Sequence, residues 1–220
     1  MPHFIVFDLD GTLLNTLPDI AGAMNRVLSR FHLPQHGEDS YKVFTGNGAR
    51  VLTRRVLGGR VDMEDQVYPA YVQEYSRHSR EKTRPYEGIP EVLHALSKKN
   101  IHLIVYSNKD DPETRDVVRH YFPDIRFAAV RGSLIDMPLK PDPAALKEIL
   151  SSLQLKPEDG LYVGDTIIDM QCAKAVGISA VAALWGFQSE KDLKSQDPDH
   201  LIERPEQLPA LADSLFHIAS

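Results

Sequence analysis

The stretch Phe4-Ile5-Val6-Phe7-Asp8-Leu9-Asp10-Gly11-Thr12 decides the fold that we expect for this chain. Its first four residues are apolar and rich in β formers, which is typical of a short buried strand. The strand runs into a glycine-containing loop that carries two carboxylates, Asp8 and Asp10. In open α/β sheets, ligands bind in the crevice beyond the carboxyl ends of the strands. The stretch therefore predicts a strand of such a sheet with a polar site at its end.

The second half of the chain alternates strands with helices. Apolar strands are predicted at 101–106, 127–130, 161–163 and 178–184, and amphipathic helical patterns lie between them. This alternation favours an α/β fold with a doubly wound, Rossmann-like parallel sheet and helices on both faces. The pattern indicates 178–184 as the last strand and the polar stretch 189–200 as a surface loop.

Residues 15–84 differ from the rest of the chain, because they show helical patterns and no convincing strand. An apolar stripe runs from Ile20 to Phe31 at helical spacing, and the loop at 45–48 precedes a basic helical stretch. We therefore predict a small helical domain at 15–84. It is inserted into an α/β core made of residues 1–14 and 85–220.

Polar residues follow three of the predicted strands. Asp8 and Asp10 follow the first strand, Ser107 follows the strand at 101–106, and Asp165 follows the strand at 161–163. The carboxyl ends of parallel strands meet at one edge of the sheet. We therefore expect these residues, which are distant in sequence, to converge on one site.

The same crevice is predicted to hold a metal ion and a phosphate. Asp169 adds another carboxylate, and crowded carboxylates repel each other unless a divalent cation lies between them. Oxygen ligands without a nearby His or Cys favour Mg²⁺ over zinc. Lys140 and Ser107 are candidates to complete a phosphate cradle, as a point charge and a hydroxyl donor.

Composition excludes several function classes. The chain has 220 residues, 42% of them hydrophobic and 25% charged, with a formal net charge of −6, so nucleic acid is not an expected partner. No run of apolar residues is long enough to span a bilayer, and Met1 is not followed by a signal-peptide pattern. We expect a cytoplasmic protein without a membrane partner. Its single cysteine cannot form an intrachain disulfide.

Four segments together resemble the motifs of the haloacid dehalogenase superfamily of phosphohydrolases. In chain order they are Phe7-Asp8-Leu9-Asp10-Gly11-Thr12-Leu13, Val105-Tyr106-Ser107-Asn108, Lys140-Pro141, and Gly164-Asp165-Thr166 through Asp169. A lone Asp-x-Asp is a weak signal. The ordered set is strong, and the resemblance covers essentially the whole chain.

The resemblance implies a role for each matched residue. Asp8 attacks phosphorus and becomes an aspartyl phosphate, while Asp10 protonates the leaving oxygen and later activates water. The implied phosphate-binding residues are Gly11, Thr12, Ser107, Asn108 and Lys140. The implied Mg²⁺ ligands are Asp8, the backbone carbonyl of Asp10, and Asp165, with Asp169 supporting the site.

The helical insert lies between the first and second motifs. The resemblance implies that an insert at this position forms a helical cap over the catalytic core. Thr45-Gly46-Asn47-Gly48-Ala49 and Arg54-Arg55 resemble the cap of phosphoglycolate phosphatases. The resemblance implies a small phosphorylated metabolite as substrate, with 2-phosphoglycolate as the leading candidate. Asn15 departs from the Asp that relatives often carry, and we expect it to cap the following helix.

Several alternatives remain open at this point. The substrate alternatives are pyrophosphate, a nucleoside monophosphate, or a sugar phosphate in a β-phosphoglucomutase-like transfer, and a catalytically silent binding module is a further possibility. A dehalogenase is disfavoured because that class lacks the acid/base residue at the position of Asp10. Ser107 has the alternative role of a helix N-cap, and Arg50, Arg54 and Arg55 that of a solvated helix face. The oligomeric state is open between monomer and homodimer.

Overall fold

The computed structural model describes residues 3–218, which contain eight strands and ten α-helices. The strands are β1 (Phe4–Phe7), β2 (Leu14–Asn15), β3 (Arg84–Pro85), β4 (His102–Asp110), β5 (Ala129–Ser133), β6 (Gly160–Gly164), β7 (Ser179–Ala183) and β8 (His200–Ile202). The helices are α1 (Leu17–Arg30), α2 (Glu38–Phe44), α3 (Ala49–Leu57), α4 (Glu64–His78), α5 (Ile89–Ser97), α6 (Asp111–Tyr121), α7 (Ala144–Ser152), α8 (Ile167–Val176), α9 (Glu190–Lys194) and α10 (Leu208–Phe216).

Six of the strands form one parallel sheet in the order β5-β4-β1-β6-β7-β8. The first strand is central, with Phe7 opposite Val105 of β4 on one side and Val163 of β6 on the other. The loop that follows Phe7 therefore emerges between the ends of two neighbouring strands.

Helices cover both faces of this sheet. Side chains of a strand alternate between its faces, and in β1 Ile5 and Phe7 join a buried cluster with α5, α6 and α10. Phe4 and Val6 point the other way, into a second buried cluster with α7, α8 and α9. Each residue of β1 is fully buried, which explains why its sequence is continuously apolar. The doubly wound α/β fold is thus confirmed.

Two details of the C-terminal region differ from the prediction. Residues 178–184 do not contain the last strand, because β8 pairs in parallel with β7. The stretch at 189–200 is also more than a loop, since it contains α9 and the first residue of β8. Both elements are short: α9 has five residues and β8 has three, of which only Ile202 is buried. Neither is long enough to produce a recognisable hydrophobic period.

The helices α1 to α4 form a unit that we call the helical segment, residues 17–78. It has its own apolar cluster, which includes Met24, Leu28 and Tyr71. The antiparallel pair β2–β3 joins it to the rest of the chain, β1 and the elements from α5 to α10, which we call the sheet domain. In this pair Asn15 lies opposite Arg84. The prediction that Asn15 caps α1 is wrong. The backbone of Asn15 belongs to this two-stranded ribbon, and the residue at the N-cap is Thr16, whose side chain makes no capping bond.

Within residues 3–218, no helix combines the length and the apolar character that crossing a membrane requires.

Candidate active site

Three neighbouring strands bring the predicted site residues to one edge of the sheet. Asp8 directly follows β1, Asp165 directly follows β6, and Ser107 lies in the second half of β4. Since β4, β1 and β6 are adjacent, these residues meet as the sequence predicts.

Buried charges dominate this edge. Asp8, Asp165 and Asp169 each place a carboxylate oxygen within 4.8 Å of the others. Lys140 Nζ lies 2.9 Å from Asp8 Oδ1 and 2.7 Å from Asp169 Oδ1. Burial, with a smaller contribution from Asp169, raises the pKa of Asp8 from 3.8 to about 7, while Lys140 opposes the rise. Burial, together with Asp169 and Asp8, also holds the pKa of Asp165 well above its usual range.

Two hydrogen-bond donors hold the carboxylate of Asp165, and two glycines leave room for it. Thr12 Oγ1 donates to Asp165 Oδ1 at 2.7 Å, and the backbone N–H of Phe187 donates to Oδ2 at 2.8 Å. A Cβ at Gly11 or at Gly186 would lie 2.2 Å from an atom of Asp165. Only glycine leaves room for this carboxylate, so both positions are constrained by it. The sequence analysis missed Gly186, which is distant from the motifs.

Asp169 is fixed by its place in the first turn of α8. Its Oδ2 accepts from the backbone N–H and the hydroxyl of Thr166, which completes a capping box. Its Oδ1 accepts from the Tyr162 hydroxyl at 3.1 Å and from Lys140 at 2.7 Å. With both oxygens engaged, Asp169 is built to hold Lys140 in place.

Asn108 fixes Lys140 from the other side. Its Oδ1 accepts from the backbone N–H of Lys140 at 2.8 Å, and its Nδ2 donates to the carbonyls of Lys140 and Gly46 at 3.2 and 2.9 Å. The side-chain amide thus joins the lysine loop to the helical segment. The phosphate contact that the resemblance implies for Asn108 stays a prediction.

The loop residues Gly11 and Thr12 are also engaged within the protein. Gly11 has a positive φ of 89° and donates its N–H to Leu14, while the Thr12 N–H donates to Leu9. These bonds close the tight turn after β1. The phosphate contacts that the resemblance implies for both residues stay predictions.

Ser107 is buried and lines the cavity described below. Its Oγ accepts from the backbone N–H of Lys109 at 3.3 Å. The alternative role as a helix N-cap is wrong, because β4 continues to Asp110 and that residue is the N-cap of α6.

Asp10 is paired separately from the three clustered carboxylates. Lys109 Nζ lies 3.0 Å from both of its carboxylate oxygens. The same ammonium lies 4.6 Å from the ring centroid of Tyr75 in α4. The sequence analysis missed Lys109, although its position offered a signal. Two residues after Ser107, it would share the side of Ser107 in a regular strand, and both residues do line the cavity described below.

A cavity of about 100 Å³ lies between the sheet domain and the helical segment. Its polar end is lined by Asp8, Asp10, Ser107 and Lys109. The opposite wall comes from the helical segment and is mostly apolar, with Ile20, Ala49, Leu52, Tyr71, Val72 and Tyr75 among its residues. The carboxylate site therefore opens, through Asp8, into a small cleft between these two walls.

The basic residues of α3 are used inside the helical segment. Arg50 and Arg54 both pair with the buried carboxylate of Glu64. Arg55 donates to the carbonyls of residues 43–45 and so braces the end of α2. None of these three arginines is among the described residues that line the 100 Å³ cavity. All three arginines are exposed, as the solvated-face alternative expects, and their guanidinium groups also make these specific contacts.

Comparison with known proteins agrees with the four motifs. Residues 5–183 match the family described as haloacid dehalogenase-like hydrolase. The chain belongs to this family. The phosphoglycolate phosphatase of Aquifex aeolicus is 33% identical over 214 residues, which cover 96% of each chain. That of Pseudomonas putida is 31% identical over 221 residues, covering 97% of this chain and 81% of the relative.

Solved structures of haloacid dehalogenase-like proteins share the fold. A haloacid dehalogenase-like hydrolase from Streptococcus pneumoniae matches with a TM-score of 0.87 at 25% identity, covering 96% of this chain and 98% of that one. The match spans the sheet domain and the helical segment alike. The family resemblance predicted from the motifs is therefore confirmed.

Proposed function

We propose that this chain is a Mg²⁺-dependent phosphatase that hydrolyses a small phosphomonoester through an aspartyl phosphate on Asp8. The observation that carries this proposal is the buried cluster of Asp8, Asp165 and Asp169, of which Asp8 lines the cavity, with Lys140 2.9 Å from Asp8. A carboxylate nucleophile approaches an anionic phosphate only when positive charge lies between them. The cluster offers places for both a lysine and a metal ion.

The residues present fit Mg²⁺. Asp8 Oδ1 is buried with the Lys140 ammonium 2.9 Å away and no other donor among the described residues, and each oxygen of Asp165 accepts only one hydrogen bond. These oxygens keep lone pairs for a hard cation. Asp8, Asp165 and the backbone carbonyl of Asp10 would hold the ion. When bound, it supplies charge neutralisation between the carboxylate and the phosphate.

The remaining steps belong to the side chains of this chain. Asp8 forms a bond to phosphorus as the bond from phosphorus to the leaving oxygen breaks. Asp10 gives a proton to that oxygen and then takes one from the water that cleaves the aspartyl phosphate. Lys140 and Ser107 stabilise the phosphoryl oxygens, and Asp169 positions Lys140. Gly11, Thr12 and Asn108 shape the phosphate pocket around them.

We further propose that residues 15–84 act as a cap on a catalytic core made of residues 1–14 and 85–220. The β2–β3 pair at both ends of this range gives the insert a narrow connection. The cavity lies between the two parts, and the bond from Asn108 to Gly46 crosses between them. Closure of such a cap would exclude water from the phosphorylated aspartate.

The leading substrate is 2-phosphoglycolate. Two observations support it: the names of the relatives from Aquifex aeolicus and Pseudomonas putida, and a cavity of only about 100 Å³, which favours a small leaving group.

Phosphate release from a panel of esters tests the proposal directly. The panel contains 2-phosphoglycolate, pyrophosphate, nucleoside monophosphates, sugar phosphates and p-nitrophenyl phosphate, each with Mg²⁺. We expect release from p-nitrophenyl phosphate and the highest kcat/KM on 2-phosphoglycolate. No release from any ester would contradict the enzyme proposal and favour a binding module. Phosphoryl transfer between sugars without net release would favour a mutase.

A further inference from the structure

Lys109 is a buried cation in the cavity that the proposed mechanism does not use. Its side chain is only 7% exposed, and its ion-pair partner among the described residues is Asp10. Among the described residues that line this cavity, it is the only lysine or arginine. A buried ammonium is unfavourable unless it is well paired. Asp10 supplies one such partner, and because Lys109 also lines the cavity, its ammonium can act on an anionic group bound there.

The ammonium lies beside the place where the leaving group must sit. Asp10 is proposed to protonate the leaving oxygen, and both of its oxygens lie 3.0 Å from Lys109 Nζ. A substituent one carbon beyond that oxygen therefore comes within reach of the ammonium. A carboxylate there would share the lysine with Asp10, and the lysine would offset the repulsion between the two carboxylates.

Tyr75 provides a second observation on the same wall. It is 6% exposed, and the Lys109 ammonium lies beside its hydroxyl oxygen, but its O–H finds no acceptor among the described residues. A buried O–H without an acceptor is unfavourable, so an oxygen of a bound ligand is the natural acceptor. Its ring packs against Lys109 at 4.6 Å, which places the hydroxyl and the ammonium in one part of the cavity.

We propose that Lys109 and Tyr75 form a leaving-group subsite that selects phosphomonoesters with a carboxylate one carbon from the ester oxygen. This inference rests on the proposed phosphatase function and names the residues that set its substrate class. It also assigns recognition to a lysine of the sheet domain. The arginines of α3 are unsuited to this role, since none of them is among the described residues that line the cavity.

A matched pair of substrates isolates the carboxylate. 2-Phosphoglycolate and 2-hydroxyethyl phosphate have the same backbone, and only the first carries a carboxylate. The quantity to measure is the ratio of their kcat/KM values. We expect the unmodified protein to favour 2-phosphoglycolate, and Lys109→Gln to lower the ratio about 10- to 100-fold, as the loss of one charge-assisted contact implies. Lys109→Arg should restore most of the ratio.

Three further variants complete the test, and the last of them is a control. Tyr75→Phe should lower the ratio about 3- to 10-fold, because it removes one neutral donor. Glu113→Gln removes a negative charge from the same cavity lining and should raise the ratio. Arg50→Gln removes a positive charge from outside this lining and should leave the ratio unchanged.

The outcomes separate this inference from the proposed function. If Lys109 only orients Asp10, Lys109→Gln slows both esters equally and the ratio stays constant, which overturns the subsite. Equal efficiency of the unmodified protein on both esters overturns it without any variant. If Lys109→Gln does not fold by circular dichroism, an unchanged ratio in Tyr75→Phe overturns it. Absence of phosphate release from both esters contradicts the proposed function itself.

Discussion

Replacing Lys140 with methionine tests whether the site is held together by one buried cation. Its side chain is 2% exposed and lies 2.9 and 2.7 Å from the carboxylates of Asp8 and Asp169. Methionine keeps the length of the side chain and removes the charge. The two carboxylates are then buried without their partner, and such a loss costs about 3–5 kcal/mol. We expect the free energy of unfolding of the metal-free protein to fall by this amount near neutral pH.

The cost should depend on pH in a defined direction. Burial raises the pKa of Asp8 to about 7 in the folded protein, above its unfolded value of 3.8. The folded state therefore binds this proton more tightly, and stability decreases as pH rises through that interval, by up to about 1.4 kcal/mol per pH unit. Lys140 lowers the pKa of Asp8. Its removal therefore raises this pKa and extends to higher pH the range over which stability falls. The loss in Lys140→Met should be smaller at a pH of about 5, where Asp8 is protonated in both proteins.

Urea denaturation with a chelator present, followed by the fluorescence of the single tryptophan, Trp185, measures both effects. Lys99→Met is the matched control. Lys99 lies 2.6 Å from Asp213, but its side chain is 25% exposed, so this substitution should cost less than about 1 kcal/mol. If Lys140→Met costs no more than Lys99→Met, or if its cost does not change with pH, the account of the buried charges is wrong.

Three further predictions concern the chemistry. Asp10→Asn should slow turnover of 2-phosphoglycolate by about 10²–10⁴-fold and of p-nitrophenyl phosphate much less, since p-nitrophenolate leaves with little protonation. Equal slowing in rapid-quench kinetics would contradict the acid role. Ca²⁺ should inhibit the Mg²⁺ enzyme, because Ca²⁺ takes more ligands at longer distances; full activity of chelator-treated protein would refute the metal assignment. Gly186→Ala places a Cβ 2.2 Å from Asp165, and should weaken Mg²⁺ activation about 10- to 100-fold, whereas Gly59→Ala, with nothing within 4 Å, should not.

The sequence predicts the sheet and the carboxylate cluster well for a physical reason. The residues of β1 are buried on both faces, so their apolar run is continuous, and the chain must turn where Asp8 begins. Because parallel strands end at one edge, the convergence of Asp8 and Asp165 follows from the strand pattern alone. These inferences need no knowledge of side-chain contacts.

The sequence analysis did not find contacts that depend on a distant partner. In sequence, Lys109 resembles a surface lysine beside a motif. Its burial arises because Tyr75 of the helical segment packs over it. The contacts of Arg50 and Arg54 in α3 also cannot be seen in the sequence, because they depend on where α4 places Glu64. Neither spacing nor composition encodes such contacts between elements.

The central claim is that phosphate is transferred to Asp8 during turnover. Rapid mixing of the protein with a radiolabelled phosphomonoester and Mg²⁺, followed by acid quenching, would trap the intermediate. Borohydride reduction then converts a phosphorylated aspartate to homoserine, which peptide mass spectrometry locates.

We predict label on the unmodified protein before steady state and homoserine at position 8. The variant Asp8→Asn should show no label and no phosphate release while its circular dichroism is unchanged. Phosphate release by folded Asp8→Asn, or turnover in the unmodified protein with no label at Asp8, would contradict the account.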